Sequence, residues 1–244
     1  MDHSGTMTSE QGTPVGHLAD ELYNLVEAMH AGGPEGMDIG IVTGFASRSV
    51  PGAEHAGISL IHQGRRPRTL GATDELPQQV DELQYSLDEG PCLQALTASD
   101  VVWATDLEVD EQWPNFGPKA VAQTGVRSLL SYRLFLSGTT CGALNFYAAR
   151  PHAFGSESIS TGALFAGYAS LALTSYLAST EAVHLRRALE SSREIGLAMG
   201  ILMAHQLCTQ DEAFDQLRTV SQKTNRKLRE IAADVALQGT LPGE

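Results

Sequence analysis

The sequence predicts an α+β fold, in which an N-terminal domain with an antiparallel sheet flanked by helices is followed by a continuous helix into a C-terminal three-helix module. Short β-rich runs alternate with helical segments over the first two thirds of the chain. No Gly-, Pro- or Ser-rich linker interrupts the helical pattern that follows, and the last part contains three amphipathic segments, which suffice to close a small core. We place the domains at residues 15–178 and 179–244, after a disordered tail at 1–14.

The individual elements follow from hydrophobic periodicity and turn residues. Apolar residues between Val15 and His30 recur at helical spacing. Ser137–Thr140 separates two β-rich runs and predicts a hairpin, and Gly64 predicts a tight turn between two others. The predicted strands are 56–61, 68–72, 101–103, 127–136 and 141–147. The other predicted helices are 76–85, 92–98, 118–123 and the long helix after Phe154.

The chain has 244 residues and a formal net charge of −13, which argues against nucleic acid unless the basic groups are concentrated locally. Residues 1–180 hold 8 basic and 20 acidic side chains, a net of −12, whereas residues 181–244 hold 8 and 9, a net of −1. Two basic clusters stand out. One is Arg65, Arg66 and Arg68, and the other is 221–229, with four basic residues in nine.

Several kinds of site and location are disfavoured by the sequence. The uncharged segment 158–180 is interrupted by Ser and Thr and fails the requirement for a membrane span. Three scattered cysteines suit a reducing compartment, so we expect a cytoplasmic protein. Neither metal-ligand spacings nor enzyme motifs occur, so we predict no metal site and no catalytic residues. Cys92 is expected to be a buried, inert thiol rather than a redox sensor, and the loop with Asp106, Asp110 and Glu111 a solvated acidic loop rather than a weak cation site.

The long helix carries a heptad pattern that predicts a dimer through this helix, with a buried single-helix connector as the alternative. The pattern is imperfect, because Glu181 falls on it. The proposed dimer positions are Leu171, Ala178, Leu185, Ala188, Ile195 and Leu202. Further along, Gly196, Gly200 and Ala204 line one face, for which we expect close packing against the module's next helix rather than a dimer contact.

The second and third helices of the module follow from capping signals. Thr209 and Glu212 fit a capping box, and Thr224 or Asn225 is expected to cap the third helix. The turn between these helices collects basic and amide side chains of the types that contact phosphates and base edges, although charge alone also allows a solvated turn. The candidate nucleic-acid-binding residues are Arg218, Ser221, Lys223, Asn225, Arg226, Lys227 and Arg229.

The C-terminal module resembles the ANTAR domain over about residues 185–238. The match rests on the run R-E-I-G-L-A-M-G-I-L-M from Arg193 to Met203, on Ala213-Phe214, and on the N-R-K-L-R segment at 225–229. The resemblance adds Arg193 to the candidate RNA-binding residues. It implies a dimer that binds paired hairpin loops in nascent leader RNA and prevents terminator formation. Met199 occupies a position where many members have Lys, which leaves the role of that position in doubt.

The N-terminal domain resembles a GAF domain over about residues 15–178, of the variant often joined to ANTAR modules in actinobacteria. The resemblance rests on L-D-E-G-P-C-L-Q-A-L at 87–96, Trp113-Pro114, G-V-R-S at 125–128 and G-A-L-N-F-Y at 142–147. GAF domains are sensors that can bind small ligands or only mediate dimerisation. The resemblance therefore implies a possible small-molecule effector but identifies neither the ligand nor its pocket.

The sequence thus favours a non-enzymatic, RNA-binding antitermination regulator under the control of a sensor domain. One alternative is a small-molecule sensor whose helical tail docks a protein partner without nucleic acid. A DNA-binding regulator is another, but the basic groups crowd the turn, while later outward positions on the third helix, Ala233 and Asp234, are small or acidic. We therefore expect no stable DNA binding.

Overall fold

The computed structural model describes residues 14–31, 39–62, 65–136 and 140–242. Its backbone divides into two compact units, with the division between Leu177 and Ala178. Most of the predicted tail lies outside the described residues, as do the predicted turns at Gly64 and at residues 137–139. Among the helices of the described residues, none is both long and apolar enough to span a membrane.

The first unit is an α+β domain with a five-stranded sheet, which confirms the predicted fold class. Its helices are α1 (Pro14–Ala31), α2 (Ile39–Ser49), α3 (Glu75–Leu87), α4 (Pro91–Thr97), α5 (Phe116–Thr124) and the first part of α6 (Ser156–Gln206). Its strands are β1 (His55–His62), β2 (Arg68–Ala72), β3 (Val101–Ala104), β4 (Ser128–Leu134) and β5 (Thr140–Ala148). Helix α2 was not predicted, because its sequence contains β-branched residues and two glycines.

The sheet has the order β2-β1-β5-β4-β3, and every neighbouring pair is antiparallel. Strand β1 pairs with β5 along its whole length, from His55 opposite Tyr147 to His62 opposite Thr140. Because side chains alternate across a strand, β1 directs Ile58 and Leu60 to one face of the sheet and Ser59 to the other. The two faces of the unit therefore differ in chemistry.

Apolar side chains of α1, α2 and α6 cover one face of the sheet. Leu25, Val42 and Phe165 are fully buried there against strand residues. The Tyr132 hydroxyl donates to the Ile159 carbonyl at 2.7 Å, which fixes the start of α6 on β4. Gly162 is required at this contact, since a Cβ would lie 2.6 Å from the Tyr132 ring. Helices α3, α4 and α5 cover the opposite face.

The second unit combines the remainder of α6 with α7 (Gln210–Thr224) and α8 (Leu228–Gln238). Its core contains the fully or almost fully buried side chains of Ala198, Leu202, Ala213, Leu217, Ile231, Ala232 and Val235. The predicted capping box is confirmed at the start of α7, where the Thr209 hydroxyl accepts from the Glu212 amide and the Glu212 carboxylate accepts from the Thr209 amide at 2.8 Å.

The prediction that Thr224 or Asn225 caps the third helix is wrong. Asn225 closes α7 instead, in the left-handed conformation with φ of 52°, and Lys227 is the N-cap of α8. Asn is among the few residues other than glycine that adopt this conformation readily, so it serves as a C-cap. The basic segment consequently forms a tight link between two helices.

We expect Thr209→Ala to weaken the first turn of α7, because it removes the hydroxyl that accepts from the Glu212 amide and donates to the Glu212 carboxylate at 2.9 Å. The loss of a Thr N-cap costs about 0.5–2 kcal/mol. Hydrogen exchange read out by mass spectrometry should therefore accelerate in peptides covering the start of α7. Thr219→Ala, the same change at an exposed position inside α7, is the control and should not accelerate exchange there. Equal effects of both variants would contradict the assignment of the cap.

Candidate nucleic-acid interface

The link between α7 and α8 is a rigid turn fixed by backbone and side-chain hydrogen bonds. The Arg226 amide donates to the Ser221 carbonyl at 3.2 Å, and the Ser221 hydroxyl donates back to the Arg226 carbonyl at 2.6 Å. The Asn225 amide donates to the Gln222 carbonyl at 3.4 Å. Ser221 is therefore engaged in holding the turn, and its hydroxyl proton is not directed at solvent.

Three cations of this turn are exposed and have no carboxylate partner in the part of the chain that the structure describes. They are Lys223 in the last turn of α7, Lys227 at the N-cap of α8 and Arg229 in its first turn. The Asn225 side chain is exposed beside them. These groups together present several hydrogen-bond donors, which is the chemistry that binds phosphate oxygens and base edges.

Arg226 is different, because its guanidinium folds back onto α8. It approaches the Asp234 carboxylate at 2.8 Å and the Glu230 carboxylate at 3.8 Å. The hydrogen bond to Asp234 raises the pKa of Arg226 above its ordinary value. Glu230 and Asp234 follow Arg226 at intervals of four and eight residues, so helical spacing in the sequence contains the signal for this pairing. Arg226 is thus in part a structural residue of the module.

The other predicted RNA-binding residues lie on the two preceding helices. Arg218 is exposed on α7 and pairs with Asp215 one turn earlier, at 2.9 Å. Arg193 is exposed on α6, with no ion-pair partner among the described residues. The structure thus brings Lys223, Asn225 and Lys227 together in one turn, while Arg193 belongs to a different element.

The predicted dimer positions on α6 separate into two groups. Leu202 is buried in the core of the second unit and Ile195 packs against that core, so both serve the module itself. Leu171 and Leu185 are 72% and 61% exposed, and Ala178 and Ala188 are also exposed. From residue 181 to 190, only Val183 is even half-buried. Neither exposed leucine belongs to a hydrophobic core of the described residues.

The expectation that Gly196 and Gly200 pack closely against the module's own next helix is wrong. A Cβ placed on either glycine would meet no heavy atom within 4 Å. The helix α7 therefore does not explain the absence of side chains at these positions. Met199 packs against the module core and also lines a groove between Gly196 and Phe214, whose other lining residues include Asp211 and Asp215.

The first unit contains a different polar site, centred on the fully buried carboxylate of Asp81. Asp81 is on α3, beneath the sheet face that α4 and α5 also cover. Five side chains donate hydrogen bonds to it. They are Ser59 at 2.6 Å, Tyr147 at 2.6 Å, Thr69 at 2.7 Å, Tyr85 at 3.2 Å and Gln84 at 3.3 Å. We call these six residues the Asp81 cluster.

No cation takes part in the Asp81 cluster. Burial raises the pKa of the Asp81 carboxyl, while the hydrogen bonds from Ser59, Tyr147 and Thr69 oppose that rise. The same burial, together with the nearby Asp81 charge, raises the pKa of Tyr147. An open cleft of about 580 Å³ adjoins the cluster at Tyr85 and is also lined by Leu93 and Trp113. The position is suited to a small polar ligand only if the ligand can displace these internal hydrogen bonds.

Cys92 borders the same cluster as a fully buried thiol. Its amide donates to the Gln84 side-chain oxygen at 2.8 Å, and Asn145 donates to its sulfur at 3.2 Å. Burial raises the pKa of Cys92, and the neighbouring Asp81 charge raises it further. These observations agree with the inert thiol that the sequence favours and not with a redox sensor.

The acidic loop after β3 is organised by an arginine. Asp106 accepts two hydrogen bonds from the Arg127 guanidinium, at 2.8 and 2.7 Å, and Glu108 contacts the same group at 2.7 Å. The bonds from Arg127 lower the pKa of Asp106 below its ordinary value. In the described residues, no group of three His, Cys, Asp or Glu side chains is arranged to hold a metal ion.

Two family models match the chain. The model of the GAF domain matches residues 40–174, which is more than half of the 244 residues, and the model of the ANTAR domain matches residues 183–235. The chain is a GAF–ANTAR protein. It belongs to the GAF family and carries a C-terminal ANTAR domain, as the motif resemblances indicated. No curated protein matches its sequence.

Solved structures share the fold of the GAF unit at low sequence identity. The GAF domain of a phosphoenolpyruvate-protein phosphotransferase from Coxiella burnetii is 12% identical with a TM-score of 0.52, over 70% of this chain and 99% of that chain. The N-acylhomoserine lactone dependent LuxR family transcription factor CepR2 from Burkholderia cenocepacia is 15% identical with a TM-score of 0.50, over 68% and 98%. At this identity, the likeness shows the fold alone.

The GAF–ANTAR architecture is that of a regulator. ANTAR is an RNA-binding antitermination domain and GAF is a sensor domain, so the chain combines a sensory unit with an RNA-binding output unit. This combination points to a sensor and regulator. RNA is accordingly the partner class of the ANTAR domain, and a small molecule is a possible partner of the GAF domain.

Sequence reasoning missed the Asp81 cluster of the GAF unit. Its members lie on β1, β2, α3 and β5, far apart along the chain, and no local motif links them. A weak signal was nevertheless present in the strands. Ser59 and Asn145, whose side-chain amide donates to the Ser59 hydroxyl at 3.0 Å, interrupt otherwise apolar runs, and such isolated polar residues in a buried strand require partners within the core.

The Asp81 cluster predicts a pH dependence for the stability of the GAF unit. A raised pKa means that the folded state holds the Asp81 proton more tightly than the unfolded state, whose pKa is about 3.9. The contribution of Asp81 to the free energy of unfolding is thus complete below that pH and declines as the pH rises toward the folded pKa. We expect the wild-type stability relative to Asp81→Asn to fall as the pH is raised from about 4 to about 7.

Tryptophan fluorescence during urea unfolding measures this difference, because both tryptophans, Trp103 and Trp113, lie in the GAF unit. Glu111→Gln removes an exposed carboxylate and is the control, for which no such pH-dependent difference is expected. If the free energy of unfolding of the wild type relative to Asp81→Asn stays constant or grows as the pH rises, the prediction is contradicted. Such a result would mean that the hydroxyl donors outweigh burial and keep the carboxylate ionised.

Proposed function

We propose that this protein is a transcription antitermination regulator that binds hairpin loops of nascent leader RNA as a dimer, under the control of its GAF unit. The observation that carries the proposal is the exposed group formed by Lys223, Asn225, Lys227 and Arg229 at one rigid turn of the ANTAR module. The chain has a net charge of −13, so RNA can approach only where cations are concentrated. The ANTAR domain supports RNA as the ligand.

The shape of the basic surface favours an RNA loop over duplex DNA. A DNA recognition helix presents several outward polar side chains along its length to the major groove. Here the available cations stop at the first turn of α8, and Asp234 further along is already paired with Arg226. A short, strongly basic turn with an amide side chain suits phosphates and unstacked bases in a loop.

Dimerisation through α6 is supported by the exposed leucines of that helix. An isolated helix is only marginally stable in water, and residues 181–190 have almost no packing of their own. Leu171, Ala178 and Leu185 repeat at intervals of seven and form an apolar stripe along α6. A second copy of the chain would present the same stripe, so the two helices could pack against each other. Two ANTAR modules held in one dimer would bind two hairpins with a gain in effective concentration.

We expect Lys227→Ala/Arg229→Ala to reduce affinity for a two-hairpin leader RNA by at least about tenfold, because two phosphate-binding cations are lost. The slope of the logarithm of the binding constant against the logarithm of the salt concentration should become less negative, by the amount expected for the loss of about two phosphate contacts. Fluorescence anisotropy over a salt series measures both effects. Arg226 is left unchanged, since its replacement would also break the ion pairs to α8.

The matched control is Lys119→Ala/Arg150→Ala, which removes the same charge from exposed positions of the GAF unit. It should bind the hairpin RNA as the wild type does. A scrambled RNA and a DNA duplex test specificity. Equal affinity for all three nucleic acids, or an equal loss in the control variant, would contradict the proposal and favour a sensor that docks a protein partner.

The dimer is tested separately with Leu171→Asp and Leu185→Asp. Each places a charge at an exposed position, so neither should unfold the monomer, but both should disrupt an apolar helix contact. Sedimentation equilibrium should show a shift toward monomer, and the preference for two hairpins over one should disappear. Leu237→Asp is the control at an 86% exposed leucine of α8, where no effect is expected. Unchanged mass in the α6 variants would contradict the dimer.

A further inference from the structure

The second basic cluster of the chain lies in the GAF unit and has no part in the RNA proposal. Residues 1–180 contain 8 basic and 20 acidic side chains, and three of the 8 are Arg65, Arg66 and Arg68. Cations placed this close together repel one another, and the 20 acids of the same region would suffice to pair them all. The local arrangement of charge therefore requires an explanation.

These arginines line a cavity of about 350 Å³ at one end of the sheet. Arg68 begins β2 opposite Leu60, and His62 ends β1 opposite Thr140 of β5. Leu60 belongs to the core beneath α6, and its strand neighbours Arg68 and His62 share that face by alternation. The imidazole Nδ1 of His62 lies 3.0 Å from the Thr140 hydroxyl. The remaining wall is Leu177 of α6.

Among the described residues, only one of the three arginines is paired with an acid. Arg66 contacts Glu82 at 2.5 Å. Arg65 and Arg68 have no carboxylate partner within residues 14–31, 39–62, 65–136 and 140–242. Elsewhere in the unit, Arg48, Arg127 and Arg150 each contact a glutamate or an aspartate, whereas Arg133 on β4 has no carboxylate partner among the described residues.

We propose that this cavity is a binding site for a small phosphorylated molecule, whose phosphoryl oxygens are held by Arg65 and Arg68. Guanidinium groups bind phosphate through paired, charge-assisted hydrogen bonds, and the neighbouring imidazole and hydroxyl supply further polar contacts. The volume is within the range of small-ligand sites, and Leu60 and Leu177 provide an apolar wall. The cavity faces α6, on the opposite side of the sheet from the Asp81 cluster, so the two sites are separate.

The occupant would contact α6 at Leu177, the last residue of the GAF unit before that helix continues into the second unit. A bound anion would also cancel the repulsion between Arg65 and Arg68, and thereby stabilise the ends of β1 and β2. The site is independent of the RNA proposal, because it uses none of the same residues.

The test is isothermal titration calorimetry of the full-length protein with inorganic pyrophosphate at constant ionic strength. We expect saturable binding, with affinity at least about tenfold weaker in Arg65→Gln/Arg68→Gln, because each arginine contributes charge-assisted hydrogen bonds. Arg48→Gln/Arg150→Gln removes two arginines of the same unit that lie outside the cavity, and it should bind as the wild type does. Circular dichroism establishes that each variant is folded.

Citrate, titrated in parallel, separates recognition of phosphate from general attraction of anions and should bind more weakly than pyrophosphate. The proposal is overturned if the wild type shows no saturable pyrophosphate binding, if citrate binds equally well, or if both double variants lose affinity to the same extent. It is also overturned if Arg65→Gln/Arg68→Gln weakens hairpin RNA without affecting pyrophosphate, since the cluster would then be part of the RNA surface. Failure of RNA binding in all variants would bear only on the proposed function.

Discussion

The requirement that both faces of the five-stranded sheet be covered governs the architecture of the GAF unit. Every strand but the edges is paired on both sides, and its side chains point alternately into two cores. One core is apolar and takes α1, α2 and the first part of α6. The other must also accommodate a carboxylate, and does so by surrounding Asp81 with hydroxyl donors. Because α6 is needed as a cover for the sheet, its start is fixed by packing, as the Tyr132–Ile159 bond and Gly162 show.

The features that could be predicted from the sequence are those that depend on residues close together along the chain. The Thr209–Glu212 box specifies a helix start by local hydrogen bonds, and short apolar runs next to turn residues specify β1, β4 and β5. Helix α2 was missed because its local preference is for a strand, and burial of Val42 and Ala46 against the sheet selects the helix instead. Tertiary packing that overrides a local preference in this way cannot be predicted from a single sequence.

The candidate sites differ in the same way. The basic turn could be predicted because its residues are consecutive, whereas the conformation of Asn225 and the pairing of Arg226 depend on how two helices meet. Arg226 also shows that a cation within a basic segment can serve the fold. The Asp81 cluster assembles residues that only the sheet topology brings together, and the arginine cavity adds His62, Thr140 and Leu177 to arginines that are neighbours in the sequence. The side chains in both sites are of ordinary kinds, but they come together only because the strands are arranged in this order.

The exposed stretch of α6 has a consequence for the lifetime of the protein. Residues 181–190 are held by little beyond their own backbone hydrogen bonds, so local opening there costs far less than unfolding of either unit. The stretch includes Arg186 and Arg187, and a protease cuts a helix only where it opens. Any partner that covers this stretch would therefore also shield it from digestion. Turnover of the protein would then be tied to its state of assembly, and unassembled chains would be the first to be removed.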